Sequence, residues 1–536
     1  MHFNTAGPVN QDDNYKIDPL KRWNLEEILE LINQKKYFIL HAPRQTGKTS
    51  CLLALRDYLN NEGKYFAVYT NFEVGQAALH NVNDGVKGII HQIASRVDDL
   101  LGKSLDMNQF LRDYTPIYAG HSAIETILKF VCENVNKPVV LFIDEIDSLI
   151  GDTLISVLRQ LRAGYDKRPG KFPSTIILCG VRDIKDYRIT TSKHEIVTGG
   201  SAFNIKTKSL VLGNFSLAEV IELFNQHTLY TGQTFTEDCY DLVMEYTNGQ
   251  PWLVNALARE VTYEMTENRD RSISITPEQL EIAKERLILE RQTHLDQLAD
   301  KLKEERVRNV VLPMILGIKA EPSSDDAQYN IDLGLIKYSK TGLVIANKIY
   351  KEVIPRTLTE DTQATLPKTF DPLWINEDDS INVPELLRQF KEFWNENSSI
   401  WASSIKGYQE AAPHLVLQAY LQRMINGNGT IDREYAIGNK RTDLLIKRTY
   451  KKNNEFITEK IVIEIKVIND KQSYQSTKNE AIIQTAEYAQ KFGVHEAQIM
   501  IFDRNETQKW TADEPNETVE QESVKLTIWK LGTGVW

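Results

Sequence analysis

The tightest constraint on this chain is a short apolar run that breaks into a glycine-containing loop and restarts as a helix. Tyr37-Phe38-Ile39-Leu40 leads into His41-Ala42-Pro43-Arg44-Gln45-Thr46-Gly47-Lys48-Thr49-Ser50. A strand giving way to a helix N-terminus offers successive backbone N–H groups and the positive end of the helix dipole, which together cradle an anion. Lys48 stands where it reaches β- and γ-phosphates, and the Thr49 hydroxyl stands where it holds Mg²⁺. Pro43, Arg44, Gln45, Thr46, Gly47 and Ser50 complete the expected nucleotide-binding loop and first helical turn. The pattern departs from the strict spacing in one place. Ala42 replaces the first glycine, and alanine is small enough to keep the turn.

Such a cradle needs a carboxylate partner for the metal, and one follows. Val139-Val140-Leu141-Phe142-Ile143 is an apolar strand that delivers Asp144 and Glu145 to its C-terminal end. Asp144 is expected to support Mg²⁺, and Glu145 to orient or deprotonate the attacking water. ATP and Mg²⁺ are therefore the expected cofactors. A further strand, Thr175–Cys179, continues into Gly180-Val181-Arg182-Asp183. Arg182 is a candidate sensor of the γ-phosphate or a trans-acting finger, and a surface salt bridge with Asp183 is an equal alternative. Arg159 and Arg162, three apart on a helix, compete for that role or form a solvated basic face. Asn248-Gly249-Gln250-Pro251-Trp252 breaks helical text, either as a lid against the nucleotide or as a tight turn.

Short apolar runs alternate with amphipathic stretches over residues 1–210, the pattern of an α/β domain with a parallel sheet. Predicted strands are Tyr37–His41, Tyr65–Thr70, Val139–Ile143 and Thr175–Cys179; predicted helices include Ser50–Leu59 and Ala123–Glu133. Residues 211–295 read as a helical lid. Residues 296–356 read as a winged helix whose strands, Ile336–Ser339 and Leu343–Ala346, are joined by a Lys340-Thr341-Gly342 turn. A threonine- and acid-rich linker over 357–371 precedes the last domain, 372–536. The order of these elements resembles the AAA+ class, in particular its origin-recognition-like and STAND-like prokaryotic ATPases. That resemblance implies a nucleotide core followed by a helical lid and a winged helix. A winged helix in turn implies DNA contact or a protein hinge.

The last domain carries a second chemistry. Gly438-Asn439-Lys440-Arg441-Thr442-Asp443 puts a carboxylate at the head of the apolar strand Leu444-Leu445-Ile446. Ile461-Val462-Ile463-Glu464-Ile465-Lys466-Val467 supplies Glu464 and Lys466 two apart, hence on one face of a strand. A hairpin that joins Asp443 to Glu464 makes a hard-oxygen site for Mg²⁺ or Mn²⁺, with Lys466 placed to position water or offset charge on a phosphorane. Acid-x-lysine by itself says nothing, since Glu62-Gly63-Lys64 and Asp183-Ile184-Lys185 also occur. Its context is informative: a helix over Glu410–Ile425 upstream, Glu434 as a further acid, and Gln484 and Tyr488 on one helical face before a strand at Gln498–Phe502. This α-β-β-β-α-β order resembles the PD-(D/E)XK nuclease superfamily and its RecB-like branch. The resemblance implies that Asp443, Glu464 and Lys466 are the catalytic trio, with Gln484 and Tyr488 near the phosphate backbone. Thr442 stands where the superfamily has proline. A salt-bridged edge strand or an inactive nuclease fold are the alternatives. The whole layout resembles bacterial proteins that pair an AAA-like ATPase with a PD-(D/E)XK module.

Composition sets the outer limits. At 536 residues, with 41% hydrophobic and 26% charged, the chain suits three or four soluble domains. No apolar run approaches the ~18 residues of a membrane span. The first residues carry no leader pattern. Cys51, Cys132, Cys179 and Cys239 lie far apart, which fits a reducing, cytoplasmic setting without structural zinc. The net charge of -11 weighs against nucleic acid overall. Lys440-Arg441, Lys447-Arg448 and Lys451-Lys452 nevertheless form a basic cluster, with Arg441 a candidate nucleic-acid contact. The expected function is ATP-gated, metal-dependent cleavage of DNA, double-stranded by the weight of the resembled superfamily, by a monomer or homo-oligomer. A role against foreign DNA rests on analogy. A nucleotide-switched DNA- or protein-binding protein and an RNA-directed nuclease remain open alternatives.

Overall fold

A computed structural model of the chain describes residues 1–10, 12–102, 105–114, 120–290, 293–315, 323–340, 342–358, 374–376, 380–404, 412–425, 430–435, 442–452, 455–468, 473–503 and 516–532. The four apolar runs form strands β1 (Tyr37–His41), β2 (Phe66–Asn71), β3 (Val139–Asp144) and β4 (Thr175–Gly180). Nearly every side chain in them is buried, as a parallel sheet covered on both faces requires. After a short hairpin, β5 (Arg188–Thr190) with β6 (Ile196–Thr198), the chain adds a fifth strand to the sheet, β7 (Lys206–Val211). The order is β2-β3-β4-β1-β7, all parallel. Only β4 separates β1 from β3, so the loops after β1 and β3 open side by side at the C-terminal edge, where open α/β sheets bind ligands.

Helices Leu25–Asn33 and Lys48–Glu62 cover one face; Val82–Leu101, Ala123–Asn134 and Gly151–Ala163 cover the other. The helix at Lys48–Glu62 starts behind Gly47, at φ 92°, and stops at Gly63, at φ 79°, whose N–H bonds Leu59 O. The departure at Ala42 has a simple reason: its φ is not in the left-handed region, and it is 1% exposed within the core. Nothing at that position calls for glycine.

The segment expected to be the lid comprises helices Leu217–Thr231, Asp238–Thr247, Pro251–Arg259 and Pro277–Leu289. Its starts are chemically marked. Ser216 and Glu219 form a reciprocal capping box, Thr276 and Gln279 form another, and Gln250 caps a helix that has Pro251 in its first turn. Phe3, Tyr15 and Ile17 from the N-terminal segment pack into the lid core beside Phe224, so this segment belongs physically to the lid rather than to the sheet.

The segment expected to be a winged helix follows with helices Thr293–Leu302, Glu305–Ile315 and Ser324–Asp332, strands β8 (Ile336–Ser339) and β9 (Gly342–Ile345), and helix Lys348–Leu358. The second wing strand starts at Gly342 rather than Leu343, which shortens the turn by one residue. Lid and winged helix share one hydrophobic core. Buried ion pairs reinforce the join: Lys284 Nζ to Glu352 Oε1 at 2.7 Å, and Arg356 to both oxygens of Glu285 at 2.8 and 2.9 Å. The helix Ser324–Asp332, which a groove-reading winged helix would offer to DNA, is acidic. Its carboxylates are engaged within the chain: Asp325 pairs with Arg188, Asp326 with Arg306, and Asp332 with Arg182.

The C-terminal region forms a six-stranded mixed sheet: β10 (Thr430–Tyr435), β11 (Thr442–Lys452), β12 (Glu455–Ile468), β13 (Glu496–Asp503), β14 (Glu517–Gln521) and β15 (Val524–Gly532). The order is β10-β11-β12-β13-β15-β14. β10, β11 and β12 are antiparallel neighbours; β12, β13 and β15 run parallel. Helices Val383–Ser404 and Ala412–Ile425 contribute to the core on one face, and helix Tyr474–Lys491 to the core on the other. The closing hairpin β14–β15 is an addition to the predicted α-β-β-β-α-β order. Among the described residues, no helix is long and apolar enough to cross a membrane.

Candidate functional site

The loop after β1 wraps around its own lysine. Lys48 is 6% exposed, and its Nζ donates to Ala42 O and Pro43 O, both at 2.9 Å. Gln45 at φ 58° and Gly47 at φ 92° bend the loop through left-handed conformations, and Thr46 Oγ1 donates to Pro43 O at 2.8 Å. Thr49 Oγ1 donates to Asp144 Oδ2 at 2.7 Å, across the gap between the first turn of the helix and the end of β3. Asp144 is 1% exposed; its other oxygen accepts from the Glu145 N–H at 3.0 Å. A buried lysine, a hydroxyl bonded to a carboxylate, and a second carboxylate beside them suit a magnesium-bound polyphosphate. Thr49 and Asp144 are hard-oxygen donors, and Lys48 supplies charge.

Glu145 takes a left-handed backbone at φ 54°, which turns the chain out of the strand. Burial, and then the negative Asp147 and Asp144 nearby, push its carboxyl above the usual glutamate range, against the pull of Lys48 and Arg44. A carboxylate so raised is a better proton acceptor, as activation of water requires. Cys179 lies against Asp144, and burial drives its thiol well up, so it stays neutral.

The structure adds groups that no motif marked. Arg22 supports the loop from beneath: its Nη1 donates to Thr46 O at 2.8 Å, its Nη2 to Gly213 O at 2.6 Å, and the guanidinium lies 4.6 Å over the Phe215 ring. It thereby ties the cradle to the root of the lid. Tyr69, from β2, donates its hydroxyl to Asp144 Oδ2 at 3.0 Å. Beside the loop a cavity of about 130 Å³ is lined by Asn4, Val9, Ser50, Phe215, Trp252 and Asn255 among others. Val9 N donates to Ser50 Oγ and Trp252 Nε1 to Thr5 O, so the N-terminal segment is bonded to both the cradle and the lid.

The Asn248–Trp252 turn meets the cradle. Gln250 Nε2 reaches Arg44 O and Gln45 O at 3.5 and 3.4 Å, while Asn248 Oδ1 takes the amine of Lys337 from the wing. Gly249, at φ 69°, accepts Phe215 N–H at 2.7 Å. Arg182 does not pair with Asp183, which is held by Lys206 and Ser209. Its Nε donates to Asp332 Oδ2 at 3.0 Å, and the guanidinium lies 4.8 Å over Tyr329. Arg159 and Arg162 are exposed, as a solvated face would be.

In the C-terminal sheet, the register sets Asp443 opposite Glu464 and Glu434 opposite Asp443 on three adjacent strands. Glu464 is fully buried. Lys466 Nζ lies 2.9 Å from Glu464 Oε1 and donates to Gln484 Oε1 at 2.8 Å; Gln484 in turn donates to Glu480 at 2.7 Å. Tyr488 packs edge-on against Phe492, 4.9 Å between centroids. The side chains of Glu434 and Asp443, and the whole of Lys440 and Arg441, lie outside the described residues. Among the described residues no three His, Cys, Asp or Glu side chains gather as a metal site. Within the basic cluster Arg448 is 4% exposed and so turned away from solvent.

Strand order, cradle and acidic strand end together define a P-loop nucleotide-binding domain of the α/β class. The chain belongs to the AAA-like domain family, whose model matches residues 7–354. Among solved structures it is similar to a Walker-type ATPase of Pyrococcus abyssi, at 15% identity and TM-score 0.46, covering 66% of this chain and 99% of that one. It is also similar to the RuvB Holliday junction branch migration motor of Thermotoga maritima, at 13% identity and TM-score 0.32, covering 62% and 95%. A third is Cdc6p from Pyrobaculum aerophilum, at 14% identity and TM-score 0.33, covering 66% and 100%. No curated protein matches the sequence.

Proposed function

We propose that this chain is an ATP-hydrolysing, metal-dependent DNA nuclease in which the AAA-like part gates or positions the C-terminal domain. In the first half, Lys48 and the loop amides bind the β- and γ-phosphates. Thr49 and Asp144 would hold Mg²⁺, whose chemistry when bound is to neutralise phosphate charge and orient the transferred group. Glu145 takes a proton from water as its oxygen attacks the γ-phosphorus and ADP leaves. The cavity beside the loop, bounded by Trp252 and the N-terminal segment, suits the base.

For the nuclease, the supporting observation is the cross-strand register of Asp443 with Glu464, beside a Lys466 already bonded to Gln484. Two carboxylates there would hold Mg²⁺ or Mn²⁺, whose chemistry is to polarise the scissile phosphate and acidify a bound water. Lys466, steadied by Gln484, offsets charge on the phosphate oxygens. A role against foreign DNA would fit such an enzyme.

The test is cleavage of supercoiled and linear DNA with Mg²⁺ or Mn²⁺. The expected result is cutting by wild type that falls at least about 100-fold in Lys466→Ala and in Asp443→Asn. Tight DNA binding without cutting under any metal would replace the nuclease with a nucleotide-switched grip. Cutting confined to RNA would change the substrate.

A further inference from the structure

We propose that the Tyr69 hydroxyl is the positioning group of the magnesium site, fixing the Asp144 carboxylate in the orientation that Mg²⁺ requires. This rests on the ATPase function proposed above. Asp144 Oδ2 accepts two side-chain hydroxyls, Thr49 at 2.7 Å and Tyr69 at 3.0 Å. Thr49 would also offer its oxygen to the metal, so its hydroxyl would serve two partners, whereas the Tyr69 hydroxyl is committed to Asp144 alone. Tyr69 is well suited to that duty. It comes from β2, a different strand whose register sets Asn71 opposite Asp144, so its hydroxyl is independent of loop movements. It is 7% exposed in a packed core, which fixes its ring. A donor bonded to a ligating carboxylate fixes its orientation, which is how a neighbouring group tunes a metal site. Tyr69 touches neither phosphate nor metal in this scheme; it acts through Asp144.

Calorimetric titration of the full chain with ADP, in Mg²⁺ and in EDTA, separates this role from packing. Wild type, Tyr69→Phe, Asp144→Asn and the double variant are compared, each in both buffers on one folded sample. Thr70→Val, the next residue on the same strand, controls for damage to β2 and keeps wild-type affinity. The expected result is an affinity for ADP with Mg²⁺ about tenfold weaker in Tyr69→Phe, with no change in EDTA. Tyr69→Phe adds nothing further in the Asp144→Asn background. An equal loss in both buffers, no loss in Mg²⁺, or full additivity with Asp144→Asn overturns the assignment. Wild type that binds no ADP in either buffer overturns the nucleotide site itself, and Tyr69 with it, which is a distinct outcome.

Discussion

Replacing Gly249 by alanine probes the contact between lid and cradle. A Cβ built there sits 1.9 Å from Phe215 O and 3.0 Å from Phe215 C, which are backbone atoms that cannot swing away. The residue also sits at φ 69°, a conformation that costs an L-residue about 1–2 kcal/mol. Gly232, in the same lid, separates the two effects: its φ is 82° and nothing lies within 4 Å of its would-be Cβ. Gly232→Ala therefore loses only the conformational part, about 1–2 kcal/mol. Gly249→Ala loses that plus an overpacking penalty of about 1–3 kcal/mol, for a total of about 2–5 kcal/mol. Urea unfolding of both variants measures the difference, provided both unfold with the wild-type m-value. Because Gly249 precedes Gln250, its displacement also weakens ADP binding, whereas Gly232→Ala leaves binding intact. Equal stability losses in the two variants, within about 0.5 kcal/mol, would refute the reasoning.

Three further outcomes follow from the same contacts. Asp332→Ala leaves the Arg182 guanidinium buried without its carboxylate, so unfolding stability falls by about 3 kcal/mol and hydrogen exchange rises across residues 324–332. Glu145→Gln binds ATP as wild type does but hydrolyses it about 100-fold more slowly; the acidic limb of the wild-type rate lies above the ordinary glutamate range, read from a pH–rate profile. Glu260 is raised to about 7, chiefly by burial and then by Glu290 and Glu264, against Arg286 and Arg259. The folded state therefore holds its proton longer than the unfolded state, and stability is lost as pH rises from the ordinary glutamate value through about 7. Glu260→Gln should accordingly raise the melting temperature at pH 8 and leave it unchanged at pH 4.

What the sequence disclosed was local. The strand–loop–helix at residues 37–50 and the acidic end of β3 carry their chemistry in consecutive residues, so pattern and site coincide. β7 was missed because Lys206-Thr207-Lys208-Ser209 reads as polar surface, which is what one sheet edge is. The hairpin β14–β15 lay beyond the predicted element order. Arg22, Tyr69 and Asp332 were invisible for a different reason: tertiary packing brings each to its partner, Asp332 to Arg182 across 150 positions. The same packing gave Arg182 a carboxylate that no local pattern could name, in place of its neighbour Asp183. The C-terminal pairing of Asp443 with Glu464 was legible because a hairpin is the shortest way to join two adjacent strands, and that is the register observed.

The most direct test of a nuclease governed by its own ATPase is single-turnover DNA cleavage with Mg²⁺, with and without ATP, by wild type and Lys48→Ala. The predicted result is wild-type cutting that changes at least about tenfold on adding ATP, and Lys48→Ala cutting that does not respond to ATP. Wild-type cleavage that is equally fast with and without ATP, and unchanged by Lys48→Ala, would contradict it.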